Sequence, residues 1–154
     1  MIKLIKIGGS LLNDKNTFSL LKNILRKEFK NNNKIILVVS AIGRLNDPYA
    51  TDTLKRLDTN LNKEDLDYLI GQGEIISSLV CTSNLSEFNP KVIRYNKIGI
   101  KKDKKFILDN TYLLDSFKNN NLLIVPGFII LNKDNELTTL DRGGSDLTAV
   151  LIAK

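Results

Sequence analysis

Histidine is absent from the 154 residues, and cysteine occurs once, as Cys81. Without an imidazole there is no usual general base, no Ser-His-Asp triad and little of the ordinary zinc ligand set. A lone cysteine cannot form an internal disulfide, so the composition fits a reducing cytoplasm. Long apolar runs are missing too. The longest, Leu122 to Leu131, contains Pro126 and Gly127 and falls well below the roughly 20 residues needed to cross a bilayer, so no membrane partner is expected. The opening MIKLIKIGG lacks the apolar h-region and small-residue cleavage site of a secretory signal.

The chain is 42% hydrophobic, and leucine and isoleucine fill 43 positions. That is enough for one sizeable core and too much for disorder. The net charge of +6 rests on 18 lysines and only 5 arginines, with 18 asparagines among them. A lysine-rich surface accounts for that charge without a nucleic-acid footprint, and no nucleic-acid partner is expected.

Read along the chain, Ile2 to Ile7 is strand-like and is interrupted at once by Gly8, Gly9 and Ser10. Phe18, Leu21, Leu25 and Phe29 recur at helical spacing and are closed by Asn31 to Asn33. Ile35 to Val39 is a continuous apolar run suited to burial on both faces. Strand, helix, strand predicts a right-handed crossover and a mainly parallel sheet covered by helices on both faces. Helices are expected over Glu64 to Ile70, Glu74 to Leu85 and Thr111 to Phe117, with short strands at Val92–Ile93 and Leu122–Val125. Ile129 to Leu137 reads as a hairpin turning at Asn132 to Asn135, and Lys97 to Lys105 as the most basic, least periodic stretch. Ser145 is expected to cap a last helix. No repeat or linker divides the chain, which reads as one domain over residues 1–154.

Chemistry can reside in three loops that follow expected strands. Lys6 with Gly8, Gly9 and Ser10 offers a charge beside backbone amides, although no Walker A pattern occurs. Ser40 stands where a parallel strand delivers its C-terminal end to the sheet crevice, followed by a polar loop carrying Thr51. TTLDRGGSD, Thr138 to Asp146, joins two glycines, a serine and a helix start to Arg142, whose guanidinium fork suits a carboxylate, and to Asp146, which can orient Lys6. Glu74 follows Gly71, Gln72 and Gly73 at a helix start. No residue is assigned as a metal ligand.

The ordered set KIGGS at 6–10, VVSAIGRLNDPYATDTL at 38–54, GQGEIISS at 71–78, VPGFI at 125–129 and TTLDRGGSDLTA at 138–149 resembles the amino acid kinase family, and within it the aspartokinases. The resemblance implies the substrate-binding lobe of a three-layer α/β/α sandwich of the carbamate kinase-like kind. It also implies transfer of the ATP γ-phosphoryl group, with Mg2+, to the side-chain carboxylate of L-aspartate. Carried over by position, Lys6 and Asp146 would be catalytic, and Gly8 and Gly9 would line the phosphate path. Ser40, Thr51, Glu74, Arg142 and Ser145 would surround the amino acid, Arg142 at its α-carboxylate and Glu74 at its ammonium.

Three departures accompany the likeness. Asp141 stands where the family has glycine, the Tyr95–Asn110 stretch is short, and the nucleotide-binding half and C-terminal regulatory domains lie outside the chain. The resemblance therefore implies a homodimer or a complementary kinase lobe, with little turnover by the chain alone. A non-catalytic amino-acid-binding or regulatory relative is the alternative.

Overall fold

The computed structural model describes residues 1–57, 60–103, 105–141 and 143–154. The first sheet holds β1 (Ile2–Ile7), β2 (Lys34–Val39), β6 (Leu122–Pro126) and β3 (Lys91–Val92), in the order β1-β2-β6-β3 and parallel throughout. The β1–β2 register runs from Ile2 opposite Lys34 to Ile7 opposite Val39. The parallel sheet expected from the strand-helix-strand opening is therefore present.

Burial follows the side-chain alternation of β2. Ile35, Leu37 and Val39 point to one face, where they meet α2 (Lys15–Lys30) through Leu21 and Leu25 and α4 (Lys63–Asn84) through Cys81. Ile36 and Val38 point to the other. There they meet α5 (Thr111–Ser116) through Leu113 and α6 (Gly144–Ile152) through Leu151 and Ile152. A strand covered on both faces has no solvent side, so its sequence is apolar without interruption. Two further helices are short, α1 (Gly9–Leu12) and α3 (Thr51–Lys55).

A second sheet, in the order β5-β4-β7-β8, packs beside α6. Its strands are β4 (Ile100–Lys102), β5 (Phe106–Leu108), β7 (Ile129–Leu131) and β8 (Leu137–Thr139). The β7–β8 pair is the expected antiparallel hairpin. The β4–β5 pair, also antiparallel, joins β4, inside the Lys97–Lys105 stretch that gave no periodic signal, to a strand just after it.

Two expectations are corrected. The helices read as 64–70 and 74–85 are one uninterrupted helix, α4. Gly71 and Gly73 do not break it, because they are notches. A Cβ on Gly71 would stand 2.9 Å from Ile129 Cγ2, and one on Gly73 would stand 2.5 Å from the Tyr49 carbonyl oxygen. The glycines let α4 lie against β7 and against the loop before α3, and that packing outweighs their poor helix propensity. Glu74 is consequently in mid-helix rather than at a helix start. Ser145 does not cap α6 either. Gly143 does so, at φ +82, a left-handed conformation glycine adopts without a side-chain penalty, which places Ser145 inside the first turn.

Candidate functional site

The C-terminal ends of β1 and β2 lie side by side, and the loops leaving them are bonded backbone to backbone. The Ser40 amide donates to the Ile7 carbonyl at 3.1 Å, and the Gly43 amide to the Gly9 carbonyl at 2.8 Å. A Cβ on Gly9 would collide with the Ala41 carbonyl oxygen, so the two loops can touch only because residue 9 is glycine. On the far side Ser77 of α4 donates its hydroxyl to the Ser40 carbonyl at 2.6 Å.

Above these loops opens a cleft of about 980 Å³. Of the residues singled out in the sequence, Lys6, Gly9, Ser40, Thr51, Glu74, Ser145 and Asp146 line it. Gly8 instead sits beneath Lys6, its Cβ position 3.9 Å from Lys6 Nζ, and caps α1 in an extended conformation. Arg142 lies outside the described residues. Asp141, the departure from the family pattern, is on the cleft wall.

Lys6 and Asp146 pair across the cleft, with Nζ 2.9 Å from Oδ1. Lys6 comes from the end of β1 and Asp146 from the first turn of α6, where an acidic side chain is favoured by the helix dipole. The pair is reached by solvent, more so at Asp146, and so ligands can exchange with it.

Glu74 is in the opposite situation. It is 2% exposed. Its Oε1 accepts the Ala41 amide at 3.2 Å, and Oε2 has no hydrogen-bond partner among the described residues. Burial pushes its carboxyl up to about 8, against the pull of the Ala41 amide, its own amide and the Thr51 side chain. A buried carboxyl with one unpartnered oxygen, on a residue that lines the cleft, can accept from a cationic group once it loses its proton.

Asp67, which sequence reasoning did not single out, is a further acidic residue on the cleft wall. It is 7% exposed and fully engaged. Its Oδ2 accepts from Thr138 Oγ1 at 2.7 Å and the Thr139 amide at 3.2 Å, and its Oδ1 from Thr139 Oγ1 at 2.8 Å. These bonds clasp β8 to α4, fixing the strand that leads directly into the 141–146 segment. The sequence signal was available: Asp67 and Glu74 fall on the same stripe of a single helix, and Thr138–Thr139 is a polar pair with no other evident task.

Among the described residues no three acidic or sulfur side chains converge on a metal position. Of the acidic residues that line the cleft, Asp67 is committed to β8 and Asp146 to Lys6, while Asp52, Glu74 and Asp141 also line it. No Mg2+ position is assigned among these residues, and no step below is routed through one. No helix among the described residues is long and apolar enough to cross a membrane.

Comparison with known proteins agrees with the geometry. The model of the amino acid kinase family matches residues 1–154. Aspartokinase 1 of Bacillus subtilis is 30% identical over 159 residues, covering 96% of this chain and 39% of the relative. The aspartokinase of Rickettsia prowazekii is 31% identical over 160 residues, covering 96% of this chain and 35% of the relative. The chain thus spans well under half the length of these curated relatives. Among solved structures, aspartate kinase from Synechocystis superposes with a TM-score of 0.77 at 23% identity, over 99% of this chain and 26% of that one. E. coli aspartokinase III in complex with aspartate and ADP gives 0.74 at 19% identity, over 99% and 46%. With its parallel sheet, its loop cluster and a family match along its whole length, the chain belongs to the amino acid kinase family and is aspartokinase-like.

Proposed function

We propose that these residues form the acceptor side of an aspartate kinase: they hold L-aspartate and present its side-chain carboxylate for phosphorylation by ATP. One observation carries the reading, the placing of the Lys6–Asp146 pair and the bare oxygen of Glu74 on the walls of a single cleft. Glu74 faces the ammonium of the amino acid, with Ser40, Thr51 and Ser145 around it. Arg142, which follows the cleft residue Asp141 in sequence, takes the α-carboxylate as the family pattern implies.

ATP supplies the phosphoryl group. The carboxylate oxygen forms the new bond to the γ-phosphorus while the bond to the bridging oxygen breaks, and its electron pair leaves with ADP. No base is required, since the nucleophile is already an anion, and a chain without histidine is equal to the task. Lys6 moves from Asp146 toward the transferring oxygens and offsets their charge, while Gly9 leaves its path open. The adenine and ribose contacts are assigned to a complementary kinase lobe, because the relatives extend far beyond the matched region.

The Glu74 carboxyl must lose its proton to pair with an ammonium. Aspartate binding at pH 7 should therefore release about one proton per site, measured by titration calorimetry in buffers of different ionisation enthalpy. Glu74→Gln should abolish that release and weaken binding tenfold or more, roughly the loss of one charge-assisted hydrogen bond. A folded chain that binds aspartate without proton release refutes the assignment of Glu74, and one that binds no aspartate refutes the proposal. The Asp141 carboxylate on the same cleft favours one other reading, a binder of amino acids that does not phosphorylate them. Absence of aspartyl phosphate after addition of the complementary lobe and ATP, with aspartate binding intact, would establish it.

A further inference from the structure

Five residues other than glycine have a positive φ among the described residues. Four are asparagines, which tolerate the left-handed region, and the fifth is Phe128, at φ +64 between β6 and β7. The Ile129 amide donates to the Gly127 carbonyl at 2.6 Å, which closes a three-residue γ-turn about Phe128. With a positive φ at its centre this turn is the rare, strained form. Strain of this kind persists only where the surroundings over-determine it. Here they do. The Phe128 amide donates to Thr148 Oγ1 at 3.0 Å, and the Phe128 carbonyl accepts the Leu140 amide at 2.8 Å. The Gly127 amide donates to the Val39 carbonyl at 2.8 Å. The turn thereby ties the residues just before Ser40 and Asp141 to the helix that carries Ser145 and Asp146.

Glycine or asparagine would make the same turn with less strain, so the reason for phenylalanine lies in its ring. Phe128 is the only aromatic residue among the described residues that line the cleft. A Cβ on Gly144 would stand 2.8 Å from Phe128 Cδ2, so the ring rests on bare main chain in the first turn of α6, next to Ser145. Thr148 lies one turn further along α6 and is wholly buried, away from the cleft wall. Its hydroxyl donates to the Gly144 carbonyl at 3.0 Å and is thereby oriented to accept the Phe128 amide.

We propose that Thr148 is a positioning residue of the acceptor site: it locks the Phe128 turn, and the ring so held is the wall that limits the length of the acceptor side chain. The inference rests on the reading of the cleft as an amino-acid site. A side chain one methylene longer than that of aspartate runs into the ring. A pocket wall discriminates one methylene by about 10- to 200-fold, provided that it does not yield. The Thr148 hydroxyl supplies that stiffness to a half-buried ring carried on a turn.

Calorimetric titration of the full chain with L-aspartate and with L-glutamate gives the affinity ratio that tests this. The parent should favour aspartate about tenfold or more, and Phe128→Ala should bring the ratio near one. Thr148→Val keeps the shape but removes the acceptor, and should lower the ratio severalfold, whereas Thr148→Ser should restore it. In the Phe128→Ala background Thr148→Val should change the ratio no further, since no ring is left to hold. A measurement without ligand stands beside these. Phe128→Gly should be more stable than Phe128→Ala by about tenfold in the unfolding equilibrium constant, the reverse of their usual order, because glycine relieves the turn. The Phe128 variants decide the question even where Thr148→Val does not fold. A ratio unchanged by Phe128→Ala overturns the length limit, and one unchanged by a folded Thr148→Val overturns the positioning role. A parent that binds neither amino acid refutes the amino-acid site and the length limit with it, while an ordinary order of the Phe128→Gly and Phe128→Ala stabilities refutes the strained lock alone.

Discussion

Asp67 and Glu74 occupy the same stripe of one helix, two turns apart, and the structure treats them in opposite ways. Asp67 accepts three hydrogen bonds from β8, which engage both of its carboxylate oxygens. Glu74 accepts one and keeps an oxygen bare. Acidity and burial are shared, so neither property separates a residue that holds the fold from one that serves the cleft. Unused hydrogen-bonding capacity does.

The sharpest way to break the comparison is pH. The Glu74 carboxyl is raised from 4.5 to about 8 in the folded chain, so between these values the folded state holds a proton that the unfolded state has lost. Stability should therefore fall as pH rises through that window, by up to about 5 kcal/mol in all. Glu74→Gln should flatten the curve, as read from urea midpoints at a series of pH values. An unchanged slope in Glu74→Gln would assign the effect to another group.

The next effect belongs to Asp67. Asp67→Ala leaves three donors of Thr138 and Thr139 without their acceptor and should destabilise the fold by about 3 kcal/mol. Because the clasp positions the segment entering α6, the same variant should loosen aspartate binding, whereas Asp67→Asn, which retains an acceptor oxygen, should recover part of both losses. Urea unfolding with calorimetry separates the two readouts. A loss of stability without any change in binding would confine Asp67 to the fold.

The smallest effect is expected at the exposed pair. Asp146→Asn removes the partner of Lys6 but should change stability by less than about 1 kcal/mol, since solvent screens the pair. A larger loss would mean that the pair is a structural tie rather than a site open to ligands.

What could be read from the sequence followed from periodic burial. α2 displays a three-to-four-residue apolar rhythm because it presents one face to a core, whereas β2 and β6 are uninterrupted apolar runs because each meets both cores. The residues that meet in the cleft were legible for a related reason: loops leaving parallel strands on the same side of a sheet converge, so Lys6 and Ser40 had to be neighbours.

Three features were hidden. The continuity of α4 was masked by Gly71 and Gly73, whose local propensity opposes the helix that their tertiary contacts require. The cap of α6 was misplaced because serine is the commoner N-cap, while the observed start depends on a backbone angle that no side chain announces. The β4–β5 pair was concealed because β4 carries Lys101 and Lys102, half-buried and exposed, and because each of the two strands is only three residues long.

The glycine contacts also bear on how the pocket can be redesigned. Gly9 and Gly73 let the β1 loop, the β2 loop and α4 press closely against one another, with the Ala41 carbonyl against position 9 and the Ala41 Cβ against position 73. A library that recodes the ligand by varying Ser40, Thr51 or Ser145 would alter the lining on an unmoved frame. A library that includes positions 9 or 73 would mostly sample collapsed frames, and its inactive members would say little about recognition. Specificity and architecture here are written in different residues, and they can be mutated separately.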